Sequence, residues 1–331
     1  MKKWICTENI VSAAMFIAAF TLPLFMGEYK ISTYSYYYAN VILALSLTLV
    51  WGFAGVFSFG QAAFMGLGAY IYGITARAGS ITPLAMLIAI ITVTVFGALL
   101  GYFIFYGGVN DVFVGLITLC IGIALETFLG QTAGDQWKIL GIPLGGYNGM
   151  TKIPMISFGA HKLSQTEFYY FVLLLVFIIY MAIRRVQNSK FGYSLIAIRE
   201  NRQRSELFGY NVPKIQVIVF AVSTGMAALS GVLYGAWGNY ISPSNMSMTS
   251  STIPVVIVAS GGRKNPTAAV LFAMMYYILS NKLSASGSEL NLVILGFILI
   301  VVLLFIPQGL ISALFYHCDR IVGGLIRGKE A

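Results

Sequence analysis

Few residues in this chain could carry covalent chemistry. His161 and His317 stand alone, and Cys6, Cys120 and Cys318 are scattered without metal-ligand spacing. No Gly-x4-Gly-Lys-Ser/Thr phosphate loop occurs. No catalytic residue, metal site or bound cofactor is assigned, and an enzyme is not the reading. What the chain offers is polar groups set inside apolar stretches. Ser58 and Gln61 lie among Gly55 and Gly60, and Glu126 sits within another apolar run. A polar side chain in such a place needs a partner or a water-filled cavity. A further segment, residues 189–214, is polar over most of its length. The chemistry open to these positions is non-covalent: hydration, solute contact and docking.

The elements that hold them follow from composition. Of 331 residues, 58% are hydrophobic and 9% charged, against about a quarter charged in an ordinary soluble protein. The expected fold is all-α, a polytopic membrane bundle of about ten spans (range ~8–10) at about 20 residues each. The spans are read at Ile10–Met26, Tyr36–Phe57, Ser58–Ala76, Pro83–Tyr106, Val112–Gln131, Phe168–Ile183, Ile215–Trp237, a short piece at Thr252–Ala259, Pro266–Leu279 and Leu290–Ile306. The first follows Lys2 and Lys3 as a signal peptide would. Gly27-Glu28-Tyr29 comes after it without a small-x-small cleavage site, so it is expected to stay.

With the N-terminus inside, alternation puts Lys30, Arg77, Lys138, Lys152, Lys162 and Lys282 outside. The rest of the 20 Lys and Arg fall inside, as the positive-inside rule requires. The same count places both termini in the cytoplasm and needs the short eighth piece to cross. The net charge of +9 is then explained by basic cytoplasmic loops facing a lipid bilayer, with no nucleic acid.

Three features carry more than one reading each. Glycines from Gly52 to Gly73 allow close helix packing. They also suit a broken helix whose free backbone groups line a path, a reading that Ser58 and Gln61 support. Glu126 can pair with a basic group, sit at a span end or contact a solute. The external segment 132–167 contains Leu144-Gly145-Gly146-Tyr147-Asn148-Gly149, either a tight turn with glycines at positive φ or a cap over a pore mouth.

Within 189–214, Ser194 to Phe208 reads as one surface helix, with Ser194 as N-cap, Gly209 as C′ residue and Pro213 beyond. Glu200 and Arg204 stand in the favoured i,i+4 order, and Arg202 and Glu206 in the reverse one. Leu195, Ile198, Leu207 and Phe208 give the helix an apolar side. A helix lying on lipid would be mostly basic. The two glutamates suit docking to a soluble partner.

Phe191-Gly192-x4-Ala197-Ile-Arg199-Glu200 followed by Phe208-Gly209-Tyr-Asn-Val212 resembles the cytoplasmic loop of permease subunits in branched-chain amino acid ABC importers. Trp51-Gly-Phe-Ala-Gly55-Val-Phe-Ser58-Phe-Gly60-Gln61, Gly145 to Gly149, Ser230-Gly-Val-Leu-Tyr234 and Phe305-Ile-Pro-Gln-Gly-Leu310 are similar to further segments of that family, in the same order. The family often has His at the place of Gln61, and its span-five Glu would fall near Ile123, one turn from Glu126. Gly261-Gly-Arg263, Trp51-Gly and Phe208-Gly-Tyr-Asn-Val212 lean toward the urea and short-chain amide branch.

The resemblance implies a single permease domain over residues 1–331 with a type II importer-like fold, in the inner membrane of a prokaryote. It implies coupling through Gly192, Ile198, Arg199, Glu200, Arg202, Arg204, Glu206 and Gly209, and a path through Gly55, Ser58, Gly60, Gln61 and Glu126. Gly145, Gly146, Asn148 and Gly149 face outward. Two separate ATPase subunits would hold ATP-Mg, a second related permease would complete the pore, and an extracytoplasmic binding protein would deliver a small neutral solute. The residues alone leave an ion-coupled secondary transporter as the alternative.

Overall fold

Proline sits in the first turn of α4 (Thr82–Tyr106), α9 (Val212–Gly238) and α11 (Pro266–Ala285), where its missing N–H costs nothing. Between such starts the apolar stretches form helices in the computed structural model. The structure describes residues 7–134, 136–159, 161–285, 296–297, 300, 304–306 and 309–327. The remaining helices are α1 (Thr7–Thr21), α2 (Glu28–Leu47), α3 (Gln61–Arg77), α5 (Asp111–Gln131), α6 (Gln165–Gln187), α7 (Lys190–Glu200), α8 (Arg202–Leu207), α10 (Met248–Gly261) and α12 (Leu310–Arg327).

Seven helical stretches among the described residues are long and apolar enough to cross a bilayer: Glu8–Phe25, Glu28–Phe53, α4, α5, α6, α9 and α11. A shorter apolar helix, α10 with 14 residues, supplements them, and α3 has 17 residues. Most expected spans reappear with shifted ends. The second begins at Glu28 rather than Tyr36, because Tyr29 to Tyr34 continue the helix. The expected span Leu290–Ile306 lies largely outside the described residues. The amphipathic α12, absent from the expected spans, packs against α1, α10 and α11.

The core is built on α2 and α9. α9 packs against α2, α3 and α4, and small residues let the backbones meet. A side chain on Gly68 would strike Ala228, and one on Gly231 would strike the carbonyl of Met65. The close-packing reading of the glycine run therefore holds for α3. Leu84, Ile91 and Leu99 of α4, and Val112, Phe113 and Leu116 of α5, remain exposed, as lipid-facing residues are.

The all-α expectation needs one addition. Lys138–Ile139 pairs with Ile142–Pro143, and Ser157–Phe158 with His161–Lys162, within the loop after α5. Met150–Thr151 pairs with Tyr240–Ile241, the strand after α9. This loop and the α7–α8 pair lie at opposite ends of the bundle. The start of α1 shares the α7 end, since Arg184 at the end of α6 stands 3.6 Å from Glu8.

Candidate functional site

α2 does not run straight through. Its last turn, Thr48–Phe53, is π-helical, and residues 54–60 are non-helical before α3 begins. The Val56 N–H bonds back to the Val50 carbonyl at 3.1 Å and closes the turn. Two glycines permit it. Gly55 adopts φ +77°, which other residues rarely take. Gly52 has no Cβ to strike the carbonyl of Arg263, which crosses directly over it. The Arg263 guanidinium lies 5.7 Å from the Trp51 ring centre, a cation–π contact.

α7 packs onto this break. Ser189 caps it by accepting a bond from the Gly192 N–H at 3.1 Å. Leu195 and Ile198 are buried. Arg199 donates from Nη1 to the Gly52 carbonyl oxygen. Its Cγ would be only 2.8 Å from a Cβ on Gly55. Arg199 also pairs with Glu200 at 2.9 Å, and Lys264 stands 3.6 Å from the same carboxylate. The Arg199 hydrogen bond and charge, helped by Lys264, hold the Glu200 carboxyl below its usual range. The break in α2, the end of α7 and the loop before α11 thus meet at one joint.

The single helix expected over Ser194 to Phe208 is two. Asn201 is extended, φ −159° and ψ 103°, and its side chain caps α8 by accepting from the Arg204 N–H at 2.8 Å. Ser194 is no cap: it is buried inside α7 and donates to the Phe191 carbonyl. The break at Asn201 also prevents the expected Glu200–Arg204 pair, and Glu200 turns to Arg199 and Lys264 instead. Arg202 and Glu206 do pair, at 3.3 Å. Gly209 takes φ +85° after α8, as expected. Leu207 and Phe208 point away from the body, 88% and 77% exposed.

Ser58, Gly60 and Gln61 lie buried at the start of α3, beyond the Gly55 turn. Ser58 accepts from the Gly60 N–H at 3.2 Å. Gln61 accepts from Ser46 at 3.0 Å and donates to Ser223 at 3.1 Å, and Ser223 donates to the Ser46 carbonyl at 2.8 Å. One amide so ties α2, α3 and α9, and every member of the network has a partner. The Phe59 N–H bonds to Thr118 of α5 at 3.1 Å. These positions form a closed seam in this structure. Glu126 is elsewhere: it stands on α5 beyond Gly122, half-buried, with no ion pair among the described residues.

A cavity of about 90 Å³ opens beside this seam, lined by Tyr36, Asn40, Ala62, Met65, Tyr234 and Asn245 among others. Asn245 donates to the Tyr234 hydroxyl at 3.2 Å. The sequence reading missed these residues. Asn40, an amide inside an apolar span, is the signal that could have found them. At the opposite end from α7, Gly145, Gly146 and Gly149 take φ +91°, +56° and +72°, which supports the tight-turn reading. Asn148 is exposed, and Tyr147 packs over Gly130 of α5. Among the described residues no three His, Cys, Asp or Glu gather as a metal site would need.

A multi-pass helical bundle with a broken helix, a small internal cavity holding a few polar groups and a helix pair attached to the break fits the class of a membrane permease. The chain belongs to the family of branched-chain amino acid ABC permeases: residues 30–303 match the model described as "Branched-chain amino acid transport system / permease component". It is 24% identical to the high-affinity branched-chain amino acid transport system permease protein LivM of Escherichia coli over 98% of this chain and 79% of that protein. It is 25% identical to the probable branched-chain amino acid transport permease protein LivM of Methanocaldococcus jannaschii over 82% of this chain and 89% of that one. A probable ABC transporter permease of Escherichia coli, YphD, is 26% identical over 40% of this chain. No solved structure matches. Family membership decides for an ABC permease over the ion-coupled alternative.

Proposed function

We propose that this chain is the membrane subunit of an importer driven by two separate ATPase subunits. It moves a small neutral solute into the cytoplasm, a branched-chain amino acid first, as the names of its relatives suggest. The α7 end is cytoplasmic, both termini lie there, and the chain crosses the inner membrane of a prokaryote ten times. A second related permease completes the pore, and an extracytoplasmic binding protein docks at the Gly145–Gly149 end. ATP-Mg sits on the ATPase subunits and no cofactor on this chain. α7 and α8 are the coupling element, with Gly192, Ile198, Arg199, Glu200, Arg202, Arg204, Glu206 and Gly209 shaping it. Gly55, Ser58, Gly60 and Gln61 form a gate that is closed here, and Glu126 lies on the outer approach.

The observation that carries this reading is the Arg199–Gly52 bond. It ties the helix pair that bears the exposed Leu207 and Phe208 to the break in α2. A partner that moves α7 pulls on that break, and rigid helices transmit the motion. The test is uptake of radiolabelled leucine and of urea by vesicles carrying this chain with its co-purifying subunits, with and without internal ATP. ATP-dependent leucine uptake is the expected result, and urea uptake without leucine would reassign the solute. Uptake driven by an ion gradient without ATP would overturn the proposal.

A further inference from the structure

α1 and α6 run antiparallel along the edge of the bundle. Near one end the Tyr169 hydroxyl donates to the Ala19 carbonyl at 2.6 Å. Near the other, Arg184 donates to the Asn9 side chain at 2.8 Å. An open groove follows the seam between the two helices. Its apolar part encloses about 710 Å³ and is lined by Phe16, Phe20, Leu24, Leu174 and Phe177 among others. Toward the α7 end it continues as a hollow of about 700 Å³, bordered by Ser12, Met181, Arg184, Arg185 and Asn188 among others.

Helix geometry sets the two hollows end to end along one seam. Leu174, Phe177, Met181 and Arg184 recur at steps of three or four on α6, with Asn188 as its C-cap, as do Ser12, Phe16 and Phe20 on α1, with Leu24 in the turn that follows it. Such residues share a face. The channel therefore changes from apolar to cationic along a single stripe. At the cationic end Arg184 is already satisfied, by Glu8, Asn9 and the Tyr180 hydroxyl. Arg185 is exposed and has no ion pair among the described residues. Among the described residues, the charged groups at this mouth, Arg184, Arg185 and Glu8, leave one positive charge in excess.

The geometry points to a bound anionic phospholipid from the leaflet on the α7 side. Its phosphate sits at Arg185, with the exposed Asn188 amide beside it, and one acyl chain lies along the seam past Met181 to Phe177 and Leu174. The lengths agree. About eleven residues separate Arg185 from Leu174, or ~16 Å at the helical rise, close to half of a ~30 Å hydrocarbon core. A site for a free anion has no use for the apolar channel, and a channel for neutral lipid has no use for the unpaired guanidinium.

The test is native mass spectrometry of the full chain released from vesicles of phosphatidylglycerol and phosphatidylcholine in equal amounts. Phosphatidylglycerol should be retained in preference. Arg185→Glu should lower its retention about fivefold, the scale of one basic residue at an anionic surface. Lys214→Glu, an exposed basic position at the start of α9 away from the groove, should not. Leu174→Trp should fill the channel and lower lipid retention while leaving Arg185 intact. Equal retention of the two lipids overturns the proposal, as does equal loss in the Arg185 and Lys214 variants. Binding of inorganic phosphate that depends on Arg185, with lipid retention unmoved by Leu174→Trp, would make this an anion site and overturn it too. A photocrosslinker at Met181 should capture lipid; capture of a protein chain would make the groove a protein interface.

Discussion

Arg199 of α7 bonds to the carbonyl oxygen of Gly52, in the π-helical turn where α2 breaks. Its side chain is only 13% exposed, so the bond is sheltered and carries a charge. Bonds of that kind contribute about 1.5–3 kcal/mol. Arg199→Ala should leave the exposed Leu207 and Phe208 in place and uncouple α7 from the break. The expected outcome is normal recovery of the ATPase subunits, with ATP-driven uptake down about tenfold or more, since each ~1.4 kcal/mol is one decade. Arg199→Lys keeps the charge beside Glu200 but loses the planar fork, and should fall between. Unchanged uptake in the alanine variant would end the lever interpretation.

Gly55 is subject to two separate constraints. Its φ of +77° disfavours any side chain, and a Cβ would stand 2.8 Å from Cγ of Arg199. Gly79 has φ +101° with nothing within 4 Å, so it carries the backbone constraint alone. Gly79→Ala should cost about 1–3 kcal/mol. Gly55→Ala should cost more, and the excess should shrink when Arg199 is also Ala. Thermal unfolding of the four proteins in detergent reads this directly. Additive single effects would show that Arg199 does not crowd Gly55.

Much of this architecture was legible in the residues. The spans follow from uninterrupted apolar runs, and the ends of α4 and α5 fall within one residue of where the sequence put them. Gly55 suits the break because its φ of +77° disfavours other residue types, which fits one of the two readings the glycine run left open. The joint around Arg199 was not legible, because it depends on which backbone carbonyl a distant side chain meets. Asn201 was read as an ordinary helical position. Its capping bond to Arg204, a local competitor of the helix, splits the element and redirects Glu200. Asn40 was passed over for a simpler reason: one amide in an apolar span says that a partner exists, without saying where.

Gln61 holds α2 and α9 together through Ser46 and Ser223. Gln61→Leu removes one bond from each hydroxyl, although Ser46 keeps the Leu43 carbonyl and Ser223 the Ser46 carbonyl. Polar contacts between membrane helices average about 0.6 kcal/mol and reach ~1.7, so a loss near the upper end is expected for two bonds. Gln61→His retains a ring donor and acceptor and should lose less. Chemical denaturation compares the three. A leucine variant as stable as the parent would mean that the network contributes nothing to the fold.

Glu200 gives the joint a pH dependence whose sign is set by its depressed ionisation. A carboxyl lowered in the folded state contributes above its unfolded value, about 4.3, and loses that contribution as pH falls through the folded value. The bridge between α7 and the loop before α11 should persist across pH 5–8. Wild type should be more stable than Glu200→Gln at pH 7, with the difference vanishing in strong acid. A difference that grew on acidification would contradict the pairing with Arg199 and Lys264.

Leu207 and Phe208 separate the two fates open to α8. Both project from the protein, so Leu207→Ser with Phe208→Ser removes no internal contact and should leave the melting temperature unchanged. If they fill a groove on an ATPase subunit, loss of two large apolar side chains forfeits about 1.5–3 kcal/mol each. Co-purification should then fall at least tenfold, while Gln203→Ala, a change at another exposed position of α8, has a small effect. If they insert into lipid instead, the double variant should keep its ATPase subunits. It should instead lose fluorescence quenching by lipid-phase probes from a reporter placed at Tyr210. Whether α8 meets an ATPase subunit or lipid is thereby read from which signal, co-purification or quenching, the same variant loses.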